Sequence, residues 1–304
     1  MRRRALAVVG ITLVCACNAL TGASDLVIGD DEVPTTNDAG AESGPGPRDA
    51  SSDGAAILDG AEPDAGPRPT YCQGITLYLR FDNSTKAAQG DLPATPIAET
   101  YASGKFKGAF DFNSQKTVVY AGEPKIGMKR YDINVGTLSL WFKPRWSLAS
   151  NTATRTFMRP QDAADAATGS APNLRLDGNA KTLGVEGPTN VEATAPIPTL
   201  LSSWKELDWN HLVGTWQRTG APETLSFTLN GGGGDAGPGR ISANNAWTPP
   251  IAGTFMRLNS TSDIDGLVDD VTVWSRALTK AEVTALYGDG MTGRSVGDAC
   301  GLTP

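Results

Sequence analysis

The chain has 304 residues, and its 35 glycines, 20 prolines and 19% charged residues suit short strands and turns better than a helical architecture. Its net charge of −7 is unevenly distributed, because residues 18–70 carry eleven acids and two arginines whereas residues 71–304 carry 22 acids and 21 bases. A region so nearly neutral lacks the basic surface that nucleic-acid binding requires, so we expect no nucleic-acid partner.

The first 17 residues are typical of a secretion signal. Arginines at positions 2–4 form a positively charged start, and residues 5–14 form a short apolar segment. A bilayer-spanning helix needs roughly 20 apolar residues, so this segment is too short to be one. We therefore predict a signal peptide over residues 1–17.

The end of this signal, Leu-Val-Cys-Ala-Cys at positions 13–17, resembles a bacterial lipobox. Ala16 precedes Cys17 and Val14 stands three residues before it, so the resemblance implies lipidation of Cys17. Asn18 directly after the cysteine favours the outer membrane by the same resemblance. Several acyl chains would anchor the protein stably, since each buried CH₂ contributes about 0.8 kcal/mol. The alternative is cleavage nearby and release as a secreted protein.

Residues 18–70 consist largely of Asp, Ala, Gly, Pro and Ser and contain no aromatic residue. A segment of this composition cannot bury enough apolar surface to offset the entropy lost on ordering. We predict a disordered acidic linker, with a root-mean-square reach of about 40 Å.

The folded domain is expected over residues 71–304. Cys72 and Cys300, near its two ends, are the cysteines that remain after the signal. In an exported protein an even pair of this kind predicts a disulfide, the alternative being two free thiols. A bond between them would bring the two ends of the domain together.

Strand-like runs follow one another at turn-separated intervals. The run at 74–81 alternates apolar and polar residues, and the runs at 173–177 and 181–185 flank a turn signal around Gly178. Further strands are expected at 104–113, 117–120, 136–143, 209–216, 224–229, 255–258 and 265–274. About a dozen strands in one domain predict an all-β sandwich.

One helix with a clear start signal is expected near the C-terminus. Thr279 and Glu282 have the spacing of a capping box, and apolar residues follow on one face. Gly288 and Gly290 are expected to end the helix.

Five segments resemble, in order, the motifs of the LamG-like (concanavalin A-like) jelly roll. They are residues 77–82, 104–112, 136–143, 209–231 and 265–287. The resemblance implies a two-sheet antiparallel jelly-roll sandwich with one short C-terminal helix. It also implies a surface module that binds glycan or protein ligands without catalysis. The alternatives are a polysaccharide-degrading enzyme on the same scaffold and a purely structural envelope protein.

The catalytic sets that such an enzyme would need are incomplete in the sequence. His211 is the single histidine, so a Ser-His-Asp triad or a histidine zinc site would depend on it alone. The run Glu206-Leu-Asp208 resembles part of a jelly-roll glycosidase motif, but Asn210 and His211 stand where its third acid would be. We therefore predict no catalytic residues.

The adjacent acids Asp269 and Asp270 lie within a predicted strand, so we expect them to point to opposite faces. A bare carboxylate on the buried side is costly and needs backbone N–H donors, Arg276 or a metal. One hypothesis is a structural Ca²⁺ with Asp270 and Asp82 as ligands, because calcium takes carboxylate oxygens. The alternative is a hydrogen-bonded aspartate.

The seven tryptophans are divided by their positions. Those within strands are expected in the core, whereas Trp146, Trp204 and Trp247 lie in loops and are the candidates for an exposed ligand-binding surface. The alternative for each of these three is ordinary packing. The whole sequence therefore predicts a monomeric outer-membrane lipoprotein that binds a glycan or a surface protein.

Overall fold

The computed structural model describes residues 67–89, 93, 98–113, 117–121, 130, 132, 134–161, 172–179, 182–186, 192–218, 224–232, 236–239, 255–258 and 264–302. Within these ranges the chain forms two antiparallel sheets and a few short helices, which confirms the predicted all-β sandwich. The strands are β1 (Ile75–Leu79), β2 (Tyr101–Ser103), β3 (Gly108–Phe112), β4 (Val118–Ala121), β5 (Val135–Pro144), β6 (Arg155–Gln161), β7 (Asn173–Asp177), β8 (Thr182–Glu186), β9 (Glu192–Pro196), β10 (Asn210–Gln217), β11 (Thr224–Leu229), β12 (Ala236–Gly239), β13 (Phe255–Leu258) and β14 (Gly266–Trp274).

The two sheets differ in size and partners. The eight-stranded sheet has the order β12-β11-β10-β5-β14-β3-β2, and β1 also pairs with β14. The six-stranded sheet has the order β4-β13-β6-β7-β8-β9. Because β1 and β14 are antiparallel neighbours, the two ends of the folded domain meet, as expected.

Alternation of apolar and polar residues places the core between the sheets. In β7, Leu174 and Leu176 are buried while Asn173, Arg175 and Asp177 are only half-buried. The predicted hairpin between β7 and β8 forms with Asn173 opposite Glu186. Each strand of this hairpin therefore gives one face to the core and one to the outside.

Strand β5 is buried on both faces, as the adjacent Trp141 and Phe142 predicted. Phe142 packs in the core between the sheets. Trp141 lies in a separate small cluster with Ala109 and Trp209 on the outer face of the eight-stranded sheet.

Three helices accompany the sheets: α1 (Ile197–Leu200), α2 (Lys280–Met291) and α3 (Val296–Cys300). Helix α2 begins with the predicted capping box, in which Thr279 and Glu282 each accept a hydrogen bond from the other's backbone N–H. Its predicted end at Gly288 or Gly290 is wrong, since the helix runs on to Met291.

Gly290 lies where α2 approaches the sheet most closely. A Cβ atom at this position would stand 2.3 Å from Cζ2 of Trp141. The glycine is therefore inside the helix because only a hydrogen fits against the indole, and it does not act as a stop signal.

The second C-terminal helix, α3, was not predicted. Its own capping box joins Ser295 and Asp298. Helices α2 and α3 bury their apolar residues against the outer face of the eight-stranded sheet, in a cluster that includes Tyr78, Val213 and Trp274.

The predicted disulfide is present. Cys72 and Cys300 are bonded, with their Cα atoms 5.3 Å apart. The bond joins the 3₁₀ turn Thr70–Cys72, which precedes β1, to the end of α3. It therefore fastens the C-terminal helix to the start of the folded domain.

The signal peptide over 1–17, the lipidation site Cys17 and nearly all of the 18–70 linker lie outside the described residues. Among the helices that are described, none is long and apolar enough to cross a membrane. The lipid anchor and the outer-membrane location stay predictions.

Candidate functional site

A row of three side chains crosses the outer face of the eight-stranded sheet. Asp269 in β14 is the register partner of Trp141 in β5, and Trp141 is in turn the partner of His211 in β10. Directly opposed residues lie on the same face of a sheet. Trp141 thus lies between Asp269, one acid of the adjacent pair, and His211, the single histidine.

Aromatic rings enclose Trp141. His211 stacks on it with ring centroids 4.8 Å apart, Tyr287 of α2 stacks at 5.7 Å, and Phe106 meets it edge-on at 6.1 Å. The ammonium of Lys105 lies 4.7 Å from the indole centroid, within the range of a cation–π contact. Trp141 itself is buried, so the contacts around it join α2 to the sheet.

His211 is held as a neutral ring. Its Nε2 lies 2.8 Å from Oγ of Ser139. Burial, aided by the nearby charge of Lys105, lowers the pKa of His211 to about 3. A serine beside a histidine resembles a nucleophile and its base, but Ser139 is buried and Nδ1 of His211 has no hydrogen-bond partner among the described residues. The third group of a triad is thus missing from the described part of the chain.

Asp269 fixes the turn between β2 and β3. Its Oδ2 accepts hydrogen bonds from the backbone N–H groups of Lys105 at 2.8 Å and Phe106 at 3.1 Å. Its Oδ1 has no hydrogen-bond partner among the described residues. Burial and then the charge of Asp270 raise the pKa of Asp269 to about 8, against the opposing effect of the backbone donors.

Asp270 does not point away from Asp269 as predicted. A bulge interrupts the β5–β14 register here, and Asp270 has a left-handed φ of 52°. Its carboxylate accepts hydrogen bonds from the hydroxyl of Tyr78 at 2.7 Å and the N–H of Val296 at 3.2 Å, both from the outer-face cluster. Burial raises the pKa of Asp270 to about 7, although these donors lower it.

Arg276 and Asp82, which were predicted to lie near Asp270, have other partners. Arg276 pairs with Glu282 at 2.7 Å. Asp82 pairs with Arg80 at 2.5 Å and accepts a hydrogen bond from the N–H of Gly108 at 2.7 Å. Within the described ranges no group of three or more metal-ligating side chains occurs. The calcium site stays a prediction.

A short loop before β10 contains an exposed leucine. Leu207 is 58% exposed and has a φ of 54°, a conformation that is a true outlier for a bulky residue. The buried amide of Asn210 holds the loop: its Oδ1 accepts from Lys205 N at 2.8 Å, and its Nδ2 donates to the carbonyls of Lys205 and Asp208 at 2.9 Å. The hydrogen bonds of Asn210 thus hold the backbone on both sides of the strained Leu207.

The same loop contacts the end of α2. Nζ of Lys205 lies 3.8 Å from Sδ of Met291 and 6.0 Å from the ring centroid of Tyr287. We define the aromatic–lysine surface as Lys105, which lies in the β2–β3 turn, together with Lys205, Leu207, Tyr287 and Met291. Sequence reasoning missed it, because no motif marks an exposed leucine or pairs lysines 100 positions apart.

The acids that resemble part of a glycosidase motif brace this loop. Oε1 of Glu206 accepts from Oγ of Ser147 and from the N–H of Leu148, both at 3.1 Å. Oδ1 of Asp208 accepts from the N–H of Trp209 at 2.7 Å. Both carboxylates therefore accept hydrogen bonds that stabilise turns.

Two of the three candidate tryptophans are described, and neither is fully exposed. The prediction is wrong for Trp204, which is 5% exposed and belongs to the core between the sheets. Trp146 is half-buried: it stacks on Trp204 at 5.8 Å, lies 4.5 Å from the guanidinium of Arg155, and donates to the carbonyl of Ile264 at 2.8 Å. Trp247 lies outside the described residues.

The outer face of the six-stranded sheet carries polar residues from several strands. Arg175 and Thr194 stand in one cross-strand row through Gly184. These polar residues make this face a second surface of interest.

Comparison with known proteins gives a family and a fold. Residues 125–284 match the family described as the concanavalin A-like lectin/glucanases superfamily. No curated protein matches the chain.

Solved structures resemble the chain at low sequence identity. The receptor binding domain of botulinum neurotoxin C/D mosaic serotype has a TM-score of 0.54 at 12% identity, covering 71% of this chain and 51% of that chain. The binding domain of Paraclostridial Mosquitocidal Protein 1 has a TM-score of 0.51 at 12% identity, covering 71% and 52%. Domain 4 of the GH43 arabinanase AbnA from Geobacillus stearothermophilus, solved with arabinotriose, has a TM-score of 0.47 at 20% identity, covering 70% and 97%. The chain thus spans about half of each toxin domain.

Proposed function

Because the chain belongs to the concanavalin A-like lectin/glucanase superfamily, we propose that it is a surface-anchored, non-catalytic module that binds glycan or protein ligands. The two toxin structures of similar fold are themselves binding domains, which agrees with a binding role. The lipid anchor at Cys17 and the outer-membrane location are part of this proposal.

The observation that carries the proposal is the strained, exposed Leu207. A left-handed backbone costs a bulky residue on the order of 1–3 kcal/mol, and such strain concentrates at ligand-binding positions. Here Asn210 holds the backbone of the loop on both sides of Leu207, so the strained backbone is formed before any ligand arrives. A pre-formed contact loses less entropy on binding than a mobile one.

The proposal of a non-catalytic role rests on the burial and hydrogen bonding of the residues that could act in catalysis. The Ser139–His211 pair is buried beneath aromatic rings, and burial keeps the imidazole neutral. Glu206 and Asp208 accept hydrogen bonds within turns. Each of these groups has a structural partner that accounts for its position.

The decisive variant is Leu207→Asn, because asparagine tolerates the left-handed conformation that leucine does not. We expect this variant to unfold at the same or a higher temperature than wild type and to bind a glycan array or envelope proteins at least tenfold more weakly. The matched control is Leu201→Asn, which replaces another exposed leucine of the same region. It should leave binding unchanged.

The outcomes of these experiments distinguish the three candidate functions. Binding without turnover that depends on Leu207 supports the module. Turnover of any polysaccharide supports the enzyme alternative, and neither binding nor turnover supports a purely structural protein. Binding that depends instead on Arg175 would move the site to the outer face of the six-stranded sheet.

The anchor is tested separately by mass spectrometry of the mature N-terminus. We expect an acylated Cys17 and accumulation of the uncleaved form after inhibition of the lipoprotein signal peptidase. A cleaved but unmodified N-terminus would show a secreted protein instead.

A further inference from the structure

The two lysines of the aromatic–lysine surface lie above a stacked pair of rings. Nζ of Lys105 stands 4.7 Å from the centroid of Trp141, and Nζ of Lys205 stands 6.0 Å from that of Tyr287. The two rings are themselves 5.7 Å apart and within 17° of parallel. Lys205 lies close enough to act electrostatically on Lys105, although 100 residues separate them in the sequence.

The ammonium groups of Lys105 and Lys205 lie near acids but are not held in close ion pairs. Neither ammonium forms an ion pair with a residue in the described part of the chain, and both side chains are half-buried. Burial first, and then the charge of Lys205, lower the pKa of Lys105, whereas Asp208 and Asp269 act in the opposite direction. A ligand anion placed between the ammonium groups would relieve their repulsion.

The charged and apolar parts of the surface adjoin. Lys205 belongs to the loop that Asn210 fixes, and its ammonium lies 3.8 Å from Sδ of Met291. The exposed Leu207 follows two positions later. A ligand that contacts both lysines would therefore also meet apolar side chains.

The acids of this loop direct their hydrogen bonds to other groups than the two lysines. Glu206 accepts hydrogen bonds from Ser147 and Leu148, at the turn that follows β5, and Asp208 accepts from Trp209 N–H. Asp269 accepts a hydrogen bond from the backbone N–H of Lys105, in the β2–β3 turn. Burial raises the pKa of Asp269 and so favours its neutral form. The lysines are thus the groups best placed to contact a ligand.

We propose that the aromatic–lysine surface binds the anionic group of an acidic glycan, a sugar carboxylate or sulfate, between Lys105 and Lys205. Tyr287 and Leu207 contact the apolar face of the same sugar. This inference rests on the proposed glycan-binding function and names the class of glycan. Carboxylate and sulfate present the same chemistry to two ammonium groups, so the probes separate them.

The test is titration of the purified protein with four polymers by isothermal calorimetry. The probes are oligogalacturonate for the carboxylate, dextran sulfate for the sulfate, unmodified dextran as the neutral glycan and polyglutamate as the acidic peptide. We expect one or both acidic glycans to bind more tightly than dextran and polyglutamate, with affinity falling as salt rises.

Charge-neutral variants locate the site. Lys105→Gln and Lys205→Gln should each weaken acidic-glycan binding roughly tenfold, the loss expected for one charge-assisted hydrogen bond. Lys86→Gln is the matched control, because Lys86 is an exposed lysine elsewhere on the domain. Thermal melting of each variant confirms that it is folded.

Four results overturn the inference. Equal binding of dextran refutes the anionic specificity while leaving glycan binding intact, and tighter binding of polyglutamate assigns the surface to an acidic peptide. Acidic-glycan binding that survives both substitutions places the site elsewhere. If no glycan probe binds wild type and the glycan array is also silent, the proposed glycan-binding function fails, and this inference fails with it.

Discussion

Replacing Asp269 by asparagine should change how the stability of the protein depends on pH. The carboxyl is 0% exposed, and burial together with the charge of Asp270 raises its pKa to about 8 from an unfolded value of 3.8. Between these values the native state binds more protons than the unfolded state. The free energy of unfolding therefore falls as pH rises through this window.

The structure sets the size of the effect. A folded pKa near 8 against 3.8 corresponds to on the order of 5 kcal/mol lost between pH 4 and pH 8, since each pKa unit is worth about 1.4 kcal/mol. Asparagine keeps an oxygen to accept from Lys105 N–H and Phe106 N–H but carries no charge. The variant should match wild type within about 1 kcal/mol at pH 4, where both side chains are neutral, and exceed it by several kcal/mol at pH 8.

Urea unfolding followed by circular dichroism at pH 4, 6 and 8 measures this difference. Asp208→Asn, at an exposed position of the neighbouring loop, is the control and should reproduce the wild-type pH profile. The reasoning is refuted if wild type gains stability relative to Asp269→Asn as pH rises. That result would mean that the two backbone donors outweigh burial and keep the carboxylate ionised.

Three further predictions concern packing, the disulfide and metal. Gly290→Ala should destabilise the protein by about 1–3 kcal/mol, because the new methyl would overlap Trp141, whereas Gly288→Ala, with nothing within 4 Å, should be neutral or stabilising by up to about 1 kcal/mol in the same thermal melts. Removing the Cys72–Cys300 bond should cost about 2–5 kcal/mol, measured by urea unfolding of the double serine variant, and an unchanged midpoint would show that the bond constrains little. The calcium hypothesis predicts a higher melting temperature with Ca²⁺ than with EGTA, and identical values would contradict it.

The fold was predictable where local chemistry and tertiary structure agree. The capping box at Thr279, the β7–β8 hairpin and the Cys72–Cys300 pair were each marked by residue type and spacing, and each is present. Strand β9, Glu192–Pro196, was missed because its inward residues are alanines, which have low strand propensity and little apolar surface. It forms because β8 supplies a pairing partner.

The site was less predictable, because its geometry depends on contacts between distant segments. Asp269 and Asp270 were correctly marked as unusual, but a bulge overrode the alternation that would have separated them. Trp204 was a candidate for an exposed surface because of its loop position, yet it belongs to the core. Leu207 carried no sequence signal, since neither its exposure nor its backbone angle is encoded by a local pattern.

The residues that mark the family and the residues of the proposed binding surface are therefore different sets, but hydrogen bonds connect them. Asp269 uses its carboxylate to hold the turn that carries Lys105, and Asn210 uses its amide to hold the loop that carries Lys205 and Leu207. Buried polar groups of this kind position exposed ones at defined distances while making no ligand contact themselves. Substituting the exposed side chains should change ligand choice at constant stability, whereas substituting Asn210 should cost both, because it leaves buried carbonyls without donors.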